Sequence, residues 1–165
     1  MSLLLPAAFL AAALALGGGG HGLERLSVEL DGRLAVLDGP APCWPDQFGA
    51  WAFDGFVYVC HPEVEDLDDG ELAFVVGHEL GHVQRRDVPV VNELLGQSLA
   101  AEVEADQVGV CFAQARGFDG VEVGLGALRK VLRRAQARLD AMGLCTPLLL
   151  DIDRRIEAIR PCARD

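Results

Sequence analysis

Basic side chains are scarce in this chain. Its 165 residues carry 14 Lys and Arg against 25 Asp and Glu, a formal charge of −11. Nucleic acids and anionic membrane surfaces both call for a basic face, so the deficit excludes them as partners. The five cysteines include no Cys-x-x-Cys pair, which excludes a thiolate zinc site of that spacing and a thioredoxin-like redox motif. No apolar run reaches the roughly 20 residues that a membrane-spanning helix needs. The longest, Leu3 to Leu16, has 14 residues and ends in Gly17-Gly18-Gly19-Gly20. There is no internal repeat and no linker. Apolar residues are not lacking: 51% apolar and 24% charged is the composition of one globular domain and excludes a disordered chain.

Charge is also missing locally. Residues 1–20 hold no charged side chain. The apolar run has the length of a secretory h-region, and Ala11-Ala12-Ala13 and Ala13-Leu14-Ala15 offer the small residues a signal peptidase accepts. Only the α-amino group stands in for the positive n-region. Residues 1–20 therefore read as a cleaved signal peptide or an uncleaved N-terminal anchor, and 21–165 as the working domain. The chain would be exported, periplasmic or extracellular, or held at a membrane by residues 3–16. No Cys follows the run closely, so a lipoprotein anchor is not indicated. In an exported chain, two disulfides and one free thiol are natural. Cys43 with Cys60 and Cys145 with Cys162 are the pairs nearest in sequence, with Cys111 left over, but sequence does not choose the pairing.

Residues 21–165 read as strands followed by helices, an α+β arrangement. Leu26 to Leu37 suggests two short strands around Asp31-Gly32, and Trp51 to Cys60 a second pair around Asp54-Gly55. Pro40, Pro42 and Pro45 mark a loop between them. Asp68 or Asp69 can cap a helix beginning near Glu71 and ending near Arg86. Further helices fit Asn92 to Arg116, stopped by Gly117, and Leu125 to Met142, with Leu125, Leu128, Leu132, Ala135, Leu139 and Met142 on one stripe. A short fourth begins near Asp151. Arg129, Lys130, Arg133, Arg134 and Arg138 form the polar side of the third helix, a solvated face paired with nearby acids. Asp66 to Asp69 reads as a capping turn, since a full calcium loop is missing. His21 and His61 fall in loops, as solvated or structural residues.

His78-Glu79-Leu80-Gly81-His82 lies inside the first expected helix. Residues four apart share a helix face, so both imidazoles can point at one ion. Glu79 is rotated by about 100° from His78 and is free to face a water on that ion. The division of labour is two neutral nitrogen ligands and one carboxylate general base. A catalytic zinc also needs a third protein ligand. Nineteen residues after His82, Ala101-Glu102-Val103-Glu104-Ala105-Asp106 offers two glutamates. Helical phase puts Glu104 on a polar stripe with Gln107 and Gln114, whereas Glu102 lies with Leu99, Asp106 and Val110. Carboxylates on an otherwise apolar face need a compensating positive charge. Glu102 is therefore the third ligand, and Asp106 the acceptor for a ligand imidazole N–H. Gly77 and Gly81 leave a strip without side chains where the Glu102 helix can approach.

Phe56 to Val59, Glu71 to His82, and Glu102-Val103-Glu104-Ala105-Asp106 together resemble the HtpX-like and CAAX-prenyl-endopeptidase-like family of zinc metallopeptidases. These are gluzincins, with a Glu in an E-x-x-A-D context as third ligand. The resemblance implies a small zincin-like domain: a short β-sheet, an active-site helix and further helices. It also implies one Zn2+ on His78, His82 and Glu102, the base at Glu79 and support from Asp106. Gly117-Phe118-Asp119, Pro147 and Asp153-Arg154-Arg155-Ile156 resemble later family segments, so the similarity covers about residues 50–160. The chain departs from the family in its short His82–Glu102 spacing, in Thr146-Pro147 where the family has His-Pro, and in lacking several membrane helices.

The expected activity is zinc-dependent endopeptidase cleavage of protein or peptide substrates, with a zinc-activated water and Glu79 moving the proton. An oxyanion donor could be Tyr58, the only tyrosine, or Arg155. The Phe56–Val59 strand could pair with an extended substrate or be an ordinary core strand. The seven acids from Asp46 to Asp69 suggest a cleft favouring basic or neutral peptides. The competing function is a non-catalytic zinc-bearing interaction or chaperone-like domain, which would have no need of Glu79.

Overall fold

A computed structural model describes residues 25–27, 29–37, 49–60, 64–85, 98–142 and 148–162. The apolar N-terminal run, the proline-rich loop, His21, His61, Cys43 and Cys145 lie outside the described residues, as does the expected helical stretch Asn92 to Gln97.

Three strands form one sheet: β1 (Leu34–Leu37), β2 (Ala50–Phe53) and β3 (Phe56–Cys60), in the order β1-β3-β2. β2 and β3 are an antiparallel hairpin with Phe53 opposite Phe56. Its turn residues Asp54 and Gly55 have φ of 49° and 84°. A two-residue hairpin turn matching the strand twist needs positive φ at both positions, and Asp-Gly supplies them. The other Asp-Gly acts differently. Residues 25–27 and 29 are helical, with Leu30 N–H donating to Leu26 C=O and Gly32 N–H to Ser27 C=O. Asp31 and Gly32, again at positive φ, end that helical turn. The expected strand over Ser27 to Leu30 is thus a helical turn that buries Leu26 and Leu30, which lie four apart. β1 consequently pairs in parallel with β3, Leu34 opposite Val57.

Helix α1 (Asp69–Arg85) starts at a reciprocal cap. Glu71 N–H donates to Asp68 Oδ1 at 2.8 Å, and Asp68 N–H donates to Glu71 Oε2 at 3.0 Å. That is a capping box with Asp in the Ser/Thr position, so the helix begins earlier than Glu71. Helix α2 spans Ser98–Gln114, and Gly117, with φ of 88°, ends the turn that follows. Helix α3 runs Gly120–Met142, longer than the expected Leu125–Met142, because Asp119 Oδ1 accepts from the Val121 and Glu122 N–H groups. On its expected stripe, Leu128 is buried and Leu125 partly so. Helix α4 is Leu148–Ala158. Among the described residues, no helix is long and apolar enough to cross a membrane.

α1 is covered on both sides. Towards the sheet, its Leu72, Val76 and Leu80 pack with Val57 and Val59. On the other side, Ala73 and Phe74 pack with Val110 of α2, Ala127 and Leu128 of α3, and Ile159. Glycine brings α1 and α2 together. A Cβ on Gly77 would lie 2.5 Å from Phe112 Cβ and 3.0 Å from Gly109 Cα, and one on Gly81 would lie 2.9 Å from Ala105 Cα. The side-chain-free strip expected at Gly77 and Gly81 is therefore the crossing point of the two helices.

Two acids from the expected acidic cleft are engaged elsewhere. Asp66 pairs with Arg134, and Asp68 caps α1; Lys130 pairs with buried Glu71 and donates to Asp66 C=O at 2.7 Å. The cationic side of α3 thus anchors the start of α1. Cys111 of α2 is disulfide-bonded to Cys162, which rules out the Cys145–Cys162 pair; Cys60 is also disulfide-bonded. Closing a separation of 51 residues, the Cys111–Cys162 bridge is worth about 4 kcal/mol in the chain-entropy model.

Alanine ordinarily replaces glycine within a helix with a gain of about 1 kcal/mol. At Gly81 the added methyl would meet backbone rather than a movable side chain. Gly81→Ala is expected to lower stability by about 1–3 kcal/mol in urea unfolding; a more stable variant would contradict this packing.

Candidate metal centre

His78 and His82 stand on one face of α1, in the stretch where that helix is buried all round, and are 8% and 2% exposed. Glu102 and Asp106, one turn apart on α2, face them across the crossing. His78 Nε2 and His82 Nε2 are 3.1 Å apart. Glu102 Oε1 lies 3.2 Å from His82 Nε2, and Glu102 Oε2 lies 3.4 Å from His78 Nε2. One donor atom from each residue converges on the same small volume.

The tautomer of His78 follows from its other nitrogen. Nδ1 is 2.9 Å from Asp106 Oδ1. Asp106 already accepts from Arg155, whose Nε donates to Oδ2 at 2.8 Å and whose second amino group donates to Oδ1 at 2.7 Å. An ionised carboxylate only accepts, so Nδ1 carries the hydrogen and Nε2 of the neutral ring presents a lone pair. That lone pair faces a second imidazole and a carboxylate, an arrangement that repels itself unless something positive joins it.

The electrostatics of the protein without metal report this demand. Burial opposes charging the His78 ring, but the Asp106 and Glu102 carboxylates outweigh it and push its pKa up to about 10. Burial would raise Glu102, yet hydrogen bonds from His78 and His82 and the charges of His78 and Arg155 hold it far below the carboxylate range. Asp106 is likewise lowered against its burial, chiefly by Arg155. A proton can satisfy only part of this set. Four ligands at zinc–ligand distances of about 2.0–2.1 Å in a tetrahedron lie about 3.3 Å from one another. The two nitrogens, 3.1 Å apart, and their contacts of 3.2 and 3.4 Å to the two oxygens of Glu102 are of this size, and two nitrogens with one oxygen are a donor set zinc accepts. His78, His82 and Glu102 therefore fit a zinc ion.

Glu79 is 8% exposed and is not one of the three converging donors. Burial raises its pKa, and the charges of His78, His82 and Arg155 act against that rise, so its carboxyl sits within reach of the cluster's field. Glu104 points outwards, 65% exposed and paired with Arg85, as the polar stripe required.

The two expected oxyanion donors fare differently. Tyr58 is not brought to the cluster. Side chains alternate along β3, and since Val57 and Val59 pack on α1, Tyr58 lies on the opposite face, stacked on Trp51 at 5.3 Å. Arg155 does reach the cluster, but its guanidinium is spent on carboxylates: it bridges Asp106 and, at 2.9 Å, Glu102 Oε2. It braces acids rather than standing free for an oxyanion. Nothing local signals this, because Arg155 lies 49 residues from Asp106. Of the two readings of Phe56–Val59, substrate-pairing strand or ordinary core strand, the second fits: β3 is the central strand of this sheet, hydrogen-bonded on both sides.

The family model for peptidase family M48 matches residues 45–157. No curated protein and no solved structure gives a significant match.

Zinc added to metal-free protein is expected to raise its melting temperature, and Glu102→Ala to abolish most of that rise. Asp106→Asn, which removes the charge that fixes His78 and holds Arg155, should weaken zinc binding about 10- to 100-fold by chelator competition. Unchanged affinity in both variants would place the metal elsewhere.

Proposed function

The chain belongs to peptidase family M48, a family of zinc metallopeptidases acting on protein and peptide substrates, and we propose that it is an endopeptidase with its reaction centre between α1 and α2. The observation that carries the reading is the convergence of two imidazole nitrogens and a carboxylate, with a further buried acid, Glu79, close by but outside the set.

In this reading His78, His82 and Glu102 hold the zinc. When bound, zinc polarises the scissile carbonyl and lowers the pKa of water towards 7. Glu79 takes the proton from the attacking water and passes it to the leaving amine. Its burial favours that task, because a carboxyl raised above its ordinary pKa is a stronger base than an exposed one. Asp106 keeps His78 in the tautomer whose Nε2 lone pair faces the ion. Arg155 holds the Glu102 and Asp106 carboxylates ionised and oriented. Burial of His78, His82 and Asp106 strengthens the electrostatic contacts among them.

A zinc-bearing interaction domain would need the ligands but not a buried acid beside them. The desolvation cost of Glu79 is the feature that favours catalysis. We also read the domain as exported. The Cys111–Cys162 disulfide supports this, since such bonds persist in oxidising compartments, and so does the apolar run Leu3 to Leu16.

Glu79→Gln should retain zinc at one equivalent per chain while losing at least about 10²-fold in cleavage of a denatured protein substrate such as casein. A Gln variant as active as the parent chain would overturn the assignment of the base. A parent chain that binds zinc yet cleaves no tested protein would favour the interaction domain.

A further inference from the structure

Arg155 is the contact on which both α2 carboxylates depend, yet it comes from a different helix. It reaches Glu102 and Asp106 from α4, near the end of the described chain. What holds α4 on α2 therefore acts on the metal centre. Three further links join the same two segments. Gln107 Nε2 donates to Arg160 C=O at 3.1 Å, Cys162 N–H donates to Gln114 Oε1 at 2.7 Å, and Cys111 is bonded to Cys162. Along α2 these anchors run in order Glu102, Asp106, Gln107, Cys111, Gln114, matched in the other segment by Arg155, Arg160 and Cys162.

The links are not equal. The glutamine hydrogen bonds lie at partly exposed positions and exchange with water. Ile156 of α4 and Ile159 just after it pack this segment into the core with Phe74, but apolar contact is non-directional and does not fix a guanidinium closely. A preorganised site needs its supporting groups within about 0.5 Å of their working positions. Only the covalent bond sets the distance between the two segments. It lies five residues beyond Asp106 on one side and seven beyond Arg155 on the other.

We propose that the Cys111–Cys162 disulfide is a positioning element of the metal centre: it keeps Arg155 docked between Glu102 and Asp106, and zinc affinity depends on it. This rests on the reading of His78, His82 and Glu102 as zinc ligands. Without the bridge, Arg155 withdraws part of the time, and Glu102 loses the guanidinium that orients its carboxylate. Arg155 here is a positioning residue, and the disulfide acts through it.

The test is a cycle of zinc dissociation constants, measured by chelator competition. It compares the parent chain, Cys111→Ser with Cys162→Ser, Arg155→Ala, and all three substitutions together. The serine pair and Arg155→Ala should each weaken zinc binding about 10-fold, the lower end for supporting contacts around a metal. The triple variant should be no more than about twofold weaker than Arg155→Ala alone, because the bridge has nothing left to position. A folded serine pair within about twofold of the parent would overturn the proposal. So would losses that multiply in the triple variant, since the bridge would then act by another route. A parent chain that binds no zinc would instead overturn the metal-centre reading.

A second measurement needs no variant. In glutathione buffers the two protein thiols and one oxidised glutathione exchange with the protein disulfide and two reduced glutathiones. By linkage, saturating free zinc should shift that equilibrium towards the Cys111–Cys162 disulfide by the same factor of about 10. An equilibrium that zinc leaves unmoved, read by mass spectrometry of the labelled cysteines, would overturn the proposal even if the serine variants fail to fold.

Discussion

Where Gly81 of α1 meets Ala105 of α2, the two backbones leave no space for another side chain, and Gly77 repeats the contact one turn earlier against Gly109 and Phe112. At a usual interaxial distance of 8–10 Å, set by the side chains at the contact, helices stand further apart when those side chains are large. Glycine on α1 shortens the gap, so short reaches suffice. His78 and His82 from one helix and Glu102 and Asp106 from the other meet at hydrogen-bonding distances. Widening the crossing by one methyl would separate the imidazoles from the carboxylates before it disturbed either helix. The site is thus a property of helix packing first and of side-chain chemistry second.

Packing this close also creates an electrostatic problem. Three acids and two imidazoles lie buried or nearly so, and unpaired charge in such a place is costly. The structure answers with a continuous relay. Asp106 accepts from His78 and from Arg155, and Arg155 also reaches Glu102, which returns to both imidazoles. A dication at the convergence completes that relay, which is the physical content of zinc dependence in this chain. Breaking the loop at one member leaves its neighbours exposed to the desolvation cost they now share.

Most of this centre is legible in the sequence for a simple reason. The ligands of α1 lie within one helical turn, where spacing alone fixes the face. The choice between Glu102 and Glu104 follows from helical phase, and the outward, Arg85-paired Glu104 agrees with it. Gly77 and Gly81 announce a close approach because two glycines in a helix need a reason. Other features could not be read. Phe56, Val57, Tyr58 and Val59 are all apolar or aromatic, so no alternation tells which face meets the core, and Tyr58 falls on the wrong one. Leu26 and Leu30 suit a strand or a helical turn equally, because a separation of four is a multiple of two and also one helical turn. The partners of Arg155 and of Cys162 lie about 50 residues away, beyond any local pattern.

We propose that one zinc is held by two imidazoles from α1 and one carboxylate from α2. X-ray absorption of the zinc-loaded chain tests it at the ion. The expected spectrum has nearest neighbours of nitrogen and oxygen only, at about 2.0–2.2 Å, with the more distant scattering of two imidazole rings. A sulfur scatterer at about 2.3 Å, or the signature of fewer than two imidazoles, would contradict it.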